Sequence, residues 1–174
     1  QGNGSSTDNC SAAETSPSQS VNCSNTGTGN TYTLTATDPS GNSNSRSCPF
    51  TVQDNINPVA VCPPAPTVVL NGSGNGTLPA NQGNGSSTDN CSVSSETSPS
   101  QSVNCSNLGS GNSFTLTATD PSGNSNSRSC AFTVQDNTNP VAVCPGTPPT
   151  VVLNGAGNGT LPANQGVGNS TDNC

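Results

Sequence analysis

The strongest constraint on this chain is that it repeats itself. The segment QGNGSSTDNC at residues 1–10 returns unchanged at residues 82–91 and comes back as QGVGNSTDNC at residues 165–174. Residues 33–48 and 115–130 are also identical, so the period is 81 to 83 residues. This period is the length of one small β-domain and not of a helical hairpin repeat. We therefore expect each repeat to fold as one compact unit.

The two ends of the sequence fall at the same phase of the repeat. Cys10, Cys91 and Cys174 are equivalent positions, and the sequence begins with Gln1 instead of Met. We expect the sequence to be a window on a longer array.

Composition alone is typical of a disordered chain, because charged residues are 6% and aromatic residues 2% of the total. Two features favour a fold instead. The nine cysteines recur at fixed phases, and the few apolar residues gather in short alternating runs. A unit of about 80 residues with a thin core needs covalent cross-links. The sequence therefore predicts disulfides and an oxidising compartment, either secreted or at the cell surface.

Charge and residue types argue against several functions. The net charge is −7, with only Arg46 and Arg128 as cations, so nucleic acid is not an expected partner. No run approaches the ~20 apolar residues that span a bilayer. The chain contains neither His nor Lys, and its cysteines are expected in bridges, so the sequence predicts no enzyme, no catalytic residue and no catalytic cofactor.

The complete repeat has the alternation of β-strands. Apolar and threonine side chains alternate over residues 114–119, the segment DPSG at residues 120–123 fits a type I turn, and the returning strand holds residues 130–134. Shorter strands are expected at residues 59–62, 67–70, 77–78, 91–93 and 102–105. No helical period is present, so the fold class is all-β, with about seven short strands in a sandwich.

The order of motifs resembles the hyalin repeat (HYR) family in its tandem four-cysteine form. These motifs are VAVCP, VVLNGSGNGTLPA, NGSSTDNCS, NC, FTLTATDPSGNSNSRSC and AFTVQDNTNP. The resemblance covers the whole chain and implies tandem immunoglobulin-like β-sandwich repeats of about 80 residues, stapled by disulfides. It assigns residues 1–54 to the C-terminal part of one repeat, residues 57–136 to a complete repeat and residues 139–174 to the N-terminal part of the next.

The cysteine pairing follows from a sandwich of this type, in which the first and last strands lie side by side and parallel. The expected pairs are Cys62 with Cys130, Cys91 with Cys105 and Cys10 with Cys23, while Cys48, Cys144 and Cys174 would pair outside these residues. A bridge from Cys48 to Cys62 across the junction is the main alternative. Zinc binding is the other interpretation of clustered cysteines, but the chain has no CxxC motif and no histidine.

Sequons for N-linked glycosylation are frequent. They begin at Asn3, Asn9, Asn22, Asn71, Asn75, Asn84, Asn90, Asn104, Asn158 and Asn169. Chance is one explanation in a chain this rich in Asn, Ser and Thr. The alternative is a covalent glycan coat, which would keep a nearly uncharged surface soluble, with further O-linked sites on the outward Ser and Thr rows.

The junction between repeats reads QDNINP at residues 53–58 and QDNTNP at residues 135–140, which is similar to the linker that holds calcium in cadherins. The candidate calcium ligands are Asp54, Asn55, Asn57, Asp136, Asn137 and Asn139, joined by Asp8 or Asp89 from neighbouring loops. Alternatively these residues only form turns and end strands. Asp38 and Asp120 are expected to be turn formers, with metal binding as their alternative.

Two functions from different classes remain. In the first, the repeats stack end to end on neighbouring copies into a stalk or fibre. In the second, they form an adhesion module that binds a carbohydrate or a surface receptor, with or without calcium. The shortage of Tyr, Trp and Arg, with Tyr32 the sole tyrosine, favours the first, because those residues usually anchor recognition.

Overall fold

The computed structural model describes residues 6–163 and 168–174. These residues form an all-β structure, with 39% of them in strands. In the described part, the helices are two single turns of 3-10 helix, Cys23–Asn25 and Cys105–Asn107.

The nine strands within the described residues are β1 Ala13–Thr15, β2 Gly27–Thr37, β3 Ser43–Val52, β4 Thr67–Val69, β5 Asn75–Leu78, β6 Ser95–Thr97, β7 Gln101–Asn104, β8 Gly109–Thr119 and β9 Ser125–Gln135.

The contacts divide the chain into two compact units that interleave in sequence. The first comprises the chain up to Val59 together with Thr88–Ser95 and Thr119–Asn126. The second comprises Ala60–Ser87, Glu96–Ala118 and the chain from Ser127 onward. These units follow contacts and not the sequence period, so the repeat boundaries at residues 1–54, 57–136 and 139–174 remain predictions.

The first unit contains a three-stranded antiparallel sheet in the order β1-β2-β3. Tyr32 on β2 lies opposite Cys48 on β3, and its ring contacts Phe50 at a centroid distance of 6.5 Å. The turn between the strands closes when Asp38 accepts hydrogen bonds from Gly41 and Asn42. Gly41 has a φ of +88°, which an L residue rarely adopts, so the DPSGN sequence itself directs the hairpin.

The core lies in the second unit. A four-stranded sheet in the order β4-β9-β8-β6 and a two-stranded sheet of β5 and β7 both contribute side chains to one buried cluster. Its members are Val68, Leu70, Leu78, Val103, Phe114, Leu116, Cys130, Phe132 and Val134. β4 runs parallel to β9, with Val68 opposite Val134. A parallel first and last strand was expected, but the expected first strand was residues 59–62, and the strand beside β9 is the one expected second, at residues 67–70.

The alternation predicted from sequence is confirmed on β8 and β9. Phe114, Leu116 and Ala118 are each at most 1% exposed, whereas Thr115 between them is exposed. The turn at Asp120 is confirmed as well, because its carbonyl accepts the amide of Gly123 and its amide donates to Asn124. The period-two pattern therefore determined which face is buried.

Two of the shorter predicted strands are wrong in position. Residues 59–62 form only an isolated bridge from Val59 to Thr88, because the amide of Val61 donates to the hydroxyl of Ser87 and not to a strand. The strand expected at residues 91–93 lies at Ser95–Thr97 instead. Here the side chain of Asp89 accepts the amides of Cys91 and Ser92, so neither joins a sheet. The complete repeat consequently has six strands, and not about seven.

Equivalent sequences take different structures in different repeats. Thr67–Val69 is strand β4, but its counterpart at residues 150–152 has no strand structure. Asn75–Leu78 is β5, whereas its counterpart at residues 158–161 is irregular. Gln101–Asn104 is β7, and its counterpart at residues 19–22 is also irregular. Each strand forms only where its partner strand is present.

Candidate functional site

Three aspartates converge in the first unit. Asp54 follows β3, Asp89 lies in the loop before β6, and Asp120 opens the turn between β8 and β9. One oxygen from each carboxylate lies within 4.8 Å of the others. Asp54 comes from the first repeat and the other two from the second, so the cluster joins side chains across the repeat junction.

Local hydrogen bonds hold each of the three aspartates in place. Asp120 is 2% exposed and accepts the amide of Asn124 at 2.8 Å and its Nδ2 at 2.7 Å. Asp89 accepts the amide of Cys91 through Oδ2 at 2.9 Å. Asp54 accepts Nδ2 of Asn90 through Oδ1 at 3.2 Å, and its carbonyl accepts Nδ2 of Asn124 at 3.0 Å. Hydrogen bonds from neighbouring loop residues thus fix the positions of the three carboxylates.

The pKa of Asp120 lies below its ordinary value. Burial raises this pKa, but hydrogen bonds from the side chain and amide of Asn124 and from the amides of Gly123 and Ser122 outweigh burial and lower it. The carboxylate is therefore charged at neutral pH, as a metal ligand must be.

Two carboxylate oxygens in the cluster are buried without a hydrogen-bond partner. They are Oδ2 of Asp54 and Oδ1 of Asp89. A buried carboxylate oxygen without a donor is unfavourable, and a divalent cation would satisfy both oxygens at once. A cleft lined by Gln53, Asp54, Asn55, Pro121 and Asn124 opens beside the cluster. Calcium fits this donor set, because it prefers carboxylate oxygens and completes its six to eight ligands with water.

The structure brings together only part of the predicted calcium set. Asp54 and Asp89 are in the cluster, whereas Asp8 is exposed and lies outside it. Asn55 and Asn57 are exposed, and Asn55 lines the cleft beside the cluster. The DPSG sequence predicts Asp120 chiefly as a turn former. It is a turn former, and its side chain also faces the other two carboxylates. Its position at the tip of a hairpin is compatible with a role as a metal ligand, but no local sequence feature indicates which other loops lie beside it.

The second junction repeats part of this geometry. Asp136, the counterpart of Asp54, accepts Nδ2 of Asn173 at 2.9 Å, as Asp54 accepts Nδ2 of Asn90. The pKa of Asp136 is lowered, first by the amide of Thr138 and then by the Asn173 side chain. Asn137 and Asn139 are exposed. The counterpart of Asp120 at this junction would fall beyond residue 174, so the chain supplies only part of a second cluster.

The disulfides differ from the predicted pairing in two of three cases. The structure pairs Cys62 with Cys130, which is the predicted bridge. The predicted bridges Cys10–Cys23 and Cys91–Cys105 are wrong, since the structure joins Cys23 to Cys91 and Cys105 to Cys174. Cys174 was expected to pair outside these residues and pairs within them. Cys10, Cys48 and Cys144 are free thiols, which also removes the alternative bridge from Cys48 to Cys62.

Cys91 precedes β6, which belongs to the four-stranded sheet, whereas Cys105 follows β7, which belongs to the two-stranded sheet. Cys105 opens a 3-10 turn capped by the side chain of Asn104. Cys91 lies in the repeat after that of its partner Cys23, and Cys174 lies in the repeat after that of its partner Cys105.

The three bridges overlap along the chain. They span residues 23–91, 62–130 and 105–174, so each begins before the previous one ends. Every peptide bond from Cys23 to Cys174 is thus enclosed by at least one disulfide. Loops of 68 to 69 residues correspond to about 4 kcal/mol per bridge from restriction of the unfolded chain.

The predicted glycosylation sites that the structure describes all lie at the surface. The asparagines at Asn9, Asn22, Asn71, Asn75, Asn84, Asn90, Asn104, Asn158 and Asn169 are exposed, and Asn3 lies outside the described residues. Several of these asparagines also make hydrogen bonds within the fold. Asn22 and Asn104 cap the 3-10 turns, and Asn90 donates a hydrogen bond from Nδ2 to Asp54.

Comparisons with known proteins gave no match, either among models of protein families or among curated proteins. In residues 6–163 and 168–174, no helix has the length and apolar character needed to cross a membrane.

Proposed function

We propose that this chain is a structural segment of a secreted or cell-surface stalk or filament, built from tandem immunoglobulin-like repeats of the HYR type. The observation that carries the proposal is the overlap of the three disulfides. Two of them, Cys23–Cys91 and Cys105–Cys174, join one repeat to the next. Bridges of this kind form in oxidising compartments. They link consecutive repeats covalently through side chains as well as through the backbone.

The bridges also determine how tension passes along the chain. Force that enters at Cys23 crosses the disulfide to Cys91, follows residues 91–105 and crosses the second disulfide to Cys174. Residues 24–90 and 106–173 lie outside this covalent path. Tension therefore bypasses β2 to β5, β8 and β9, while β6 and β7 lie on the loaded path. Most of the β-structure is thus protected while the array is under load, which is the property that a stalk requires. The proposal involves no catalysis.

A glycan coat belongs to the same proposal. The described sequon asparagines are exposed, and the chain has only two cations. Sugars would hydrate a neutral surface that otherwise tends to associate.

A second candidate function is calcium-dependent stiffening of the junction, in support of either a stalk or an adhesion module. It rests on the two partnerless buried oxygens of Asp54 and Asp89 beside Asp120. A bound calcium ion would link side chains from two successive repeats and so reduce bending at their junction.

Stretching a single chain from its ends tests the structural proposal. The oxidised chain should show no unfolding extension from the loops that the bridges enclose. After reduction, each loop of 68 or 69 residues should release about 230 Å, from about 3.4 Å per extended residue. Full extension of the oxidised chain would contradict the proposal. Specific retention of the native protein on a glycan array would favour the adhesion module.

A further inference from the structure

The segment at residues 91–105 connects the two bridges between repeats. Cys91 is bonded to Cys23, and Cys105 is bonded to Cys174. A load on the chain therefore enters and leaves the complete repeat through the two ends of this segment. The rest of the repeat lies outside the covalent path, so the extension of the repeat under load depends on how firmly this segment is held.

Both strands of this segment lie at the edge of a sheet. β6 is the end strand of the four-stranded sheet, with β8 as its neighbour, and β7 pairs with β5 in the two-stranded sheet. They are three and four residues long. The strands β4, β9 and β8 pair with one another independently of both. Detachment of the segment therefore breaks two short ladders and leaves the ladders among β4, β9 and β8 closed.

Most of the apolar core does not belong to the segment. Val103, at 5% exposure, is its member of the buried cluster, and Cys105 packs against that cluster. The other eight members lie outside the segment, and so does the bridge from Cys62 to Cys130. The greater part of the core and this disulfide therefore remain in place when the segment is drawn out.

Hydrogen bonds to residues outside the loaded path hold the segment at rest. They include the amide of Ser94 to the carbonyl of Thr119 at 2.8 Å, the amides of Gly85 and Ser87 to the carboxylate of Glu96 at 2.6 and 2.9 Å, and the amides of Asn81 and Gln82 to the carbonyl and hydroxyl of Ser98, each at 2.9 Å. These are separate contacts between the segment and the rest of the repeat, so they break under load without any change in the other strands.

We propose that residues 91–105 are an extensible element, which leaves the two sheets under load and returns to them when the load falls. The inference rests on the proposed function as a stalk or filament. Residues 91 and 105 are 14 positions apart, so at about 3.4 Å per extended residue the element reaches at most about 48 Å from end to end. The bridges between repeats stop the extension at that length. Both ends of the element stay bonded, so it re-forms its ladders at the small entropic cost of closing a short loop.

Insertions of Gly-Ser-Gly-Ser test which part of the chain extends. One insertion is placed between Pro99 and Ser100, in the exposed connection between β6 and β7. The matched control is placed between Ser40 and Gly41, in the exposed turn between β2 and β3, which the bridges bypass. When single oxidised chains are stretched from their ends, the first insertion should lengthen the full extension by about 14 Å, from four added residues. The control insertion should add nothing.

The two insertions also separate this inference from the stalk proposal. No added length from the insertion after Pro99 would overturn the extensible element and leave the stalk proposal standing. Added length from the insertion after Ser40 would mean that residues 24–90 open in the oxidised chain, and this result would overturn both proposals.

A second comparison uses two valines of the same core. Val103 on β7 and Val134 on β9 are 5% and 1% exposed, but Val134 stays in the core when the segment is drawn out. At the same constant force, Val103→Ala should release the segment about tenfold faster, because two buried carbon atoms are lost. Val134→Ala removes the same atoms from a bypassed strand and should change the rate much less. Equal acceleration by the two variants would contradict the proposal, because release would then require the whole core to open.

Discussion

Cys23 is bonded to Cys91, 68 residues further along the chain, and not to its near neighbour Cys10. The bond connects the end of one repeat with the next repeat. Cys105 and Cys174 repeat the relationship one period later. Cross-links in this protein therefore join repeats as well as stabilising them.

Trypsin distinguishes this connectivity from a local one, because the chain has only two cleavage sites, Arg46 and Arg128. After cleavage in denaturant without reductant, all three fragments should stay joined and run at 17.1 kDa, and they should separate on reduction. Bridges from Cys10 to Cys23 and from Cys91 to Cys105 would instead release residues 1–46. The Cys23→Ser variant should release that fragment and serves as the control.

Gly74→Ala should destabilise the protein far more than the same change at its counterpart Gly157. Both glycines have positive φ, +71° and +80°, so both substitutions carry about 1 kcal/mol of backbone strain. At Gly74, however, a Cβ atom would lie 2.6 Å from Sγ of Cys105 and 2.5 Å from the carbonyl of Asn173, while at Gly157 it meets nothing within 4 Å. We expect about 1 to 3 kcal/mol more for Gly74→Ala from this overlap. Urea unfolding measures both, and equal losses would contradict the predicted packing.

Calcium should raise the melting temperature of the chain relative to EDTA. At a concentration 100 times its dissociation constant, a ligand adds about 2.7 kcal/mol, or about 5 to 10 °C at this chain length. Asp89→Asn should remove the effect, because it removes one charged ligand. Asp172→Asn should retain it, since Asp172 is the counterpart of Asp89 at the junction without an Asp120 equivalent. Identical melts in calcium and EDTA would eliminate the metal site.

Glu96 should make stability depend on pH. A hydrogen bond from the Ser87 hydroxyl lowers the pKa of Glu96 below its ordinary 4.5, burial opposes this effect, and the amides of Gly85 and Ser87 add to it. The stabilisation is therefore fully present above pH 4.5 and is lost as the pH falls through the lower folded value. Glu96→Gln should lower the melting temperature at pH 7 by about 2 to 4 °C, from about 1 kcal/mol.

The pH profile of that variant is the decisive measurement. The difference between wild type and Glu96→Gln should shrink as the pH falls below 4.5 and disappear once Glu96 is protonated. Glu14→Gln is the control at the equivalent exposed position. A difference that does not change with pH would contradict the assigned role of the carboxylate.

Native material should have a mass above the 17.1 kDa polypeptide because of attached sugars. Glycopeptide mapping should find a sugar on Asn84, an exposed loop residue. It should find none on Asn90, whose Nδ2 is the glycosylation atom and donates to Asp54. An intact mass equal to that of the bare chain would exclude the glycan coat.

Part of the candidate site was predictable from the residues alone. The junction motif indicated Asp54, and Asp8 or Asp89 was the further carboxylate expected from a neighbouring loop; Asp89 is the one in the cluster. The third, Asp120, was assigned chiefly to a turn, because a DPSG sequence specifies the shape of a turn but not what the turn contacts. Asn55 and Asn57 were included on motif grounds, and they are exposed.

Local chemistry determined the β8–β9 hairpin and the buried faces of its strands, whereas the bond from Cys62 to Cys130, 68 residues apart, was expected from the type of sandwich. Alternating side chains and a turn with a positive-φ glycine act over a few residues, so the sequence contains them in readable form. Tertiary structure alone decided the bridges between repeats and the fate of the TVVL segment, which is a strand with a buried face at residues 67–70 and irregular and exposed at residues 150–153. A short strand becomes stable only when a partner supplies hydrogen bonds and covers its apolar face, and whether that partner is present is not a property of the segment itself.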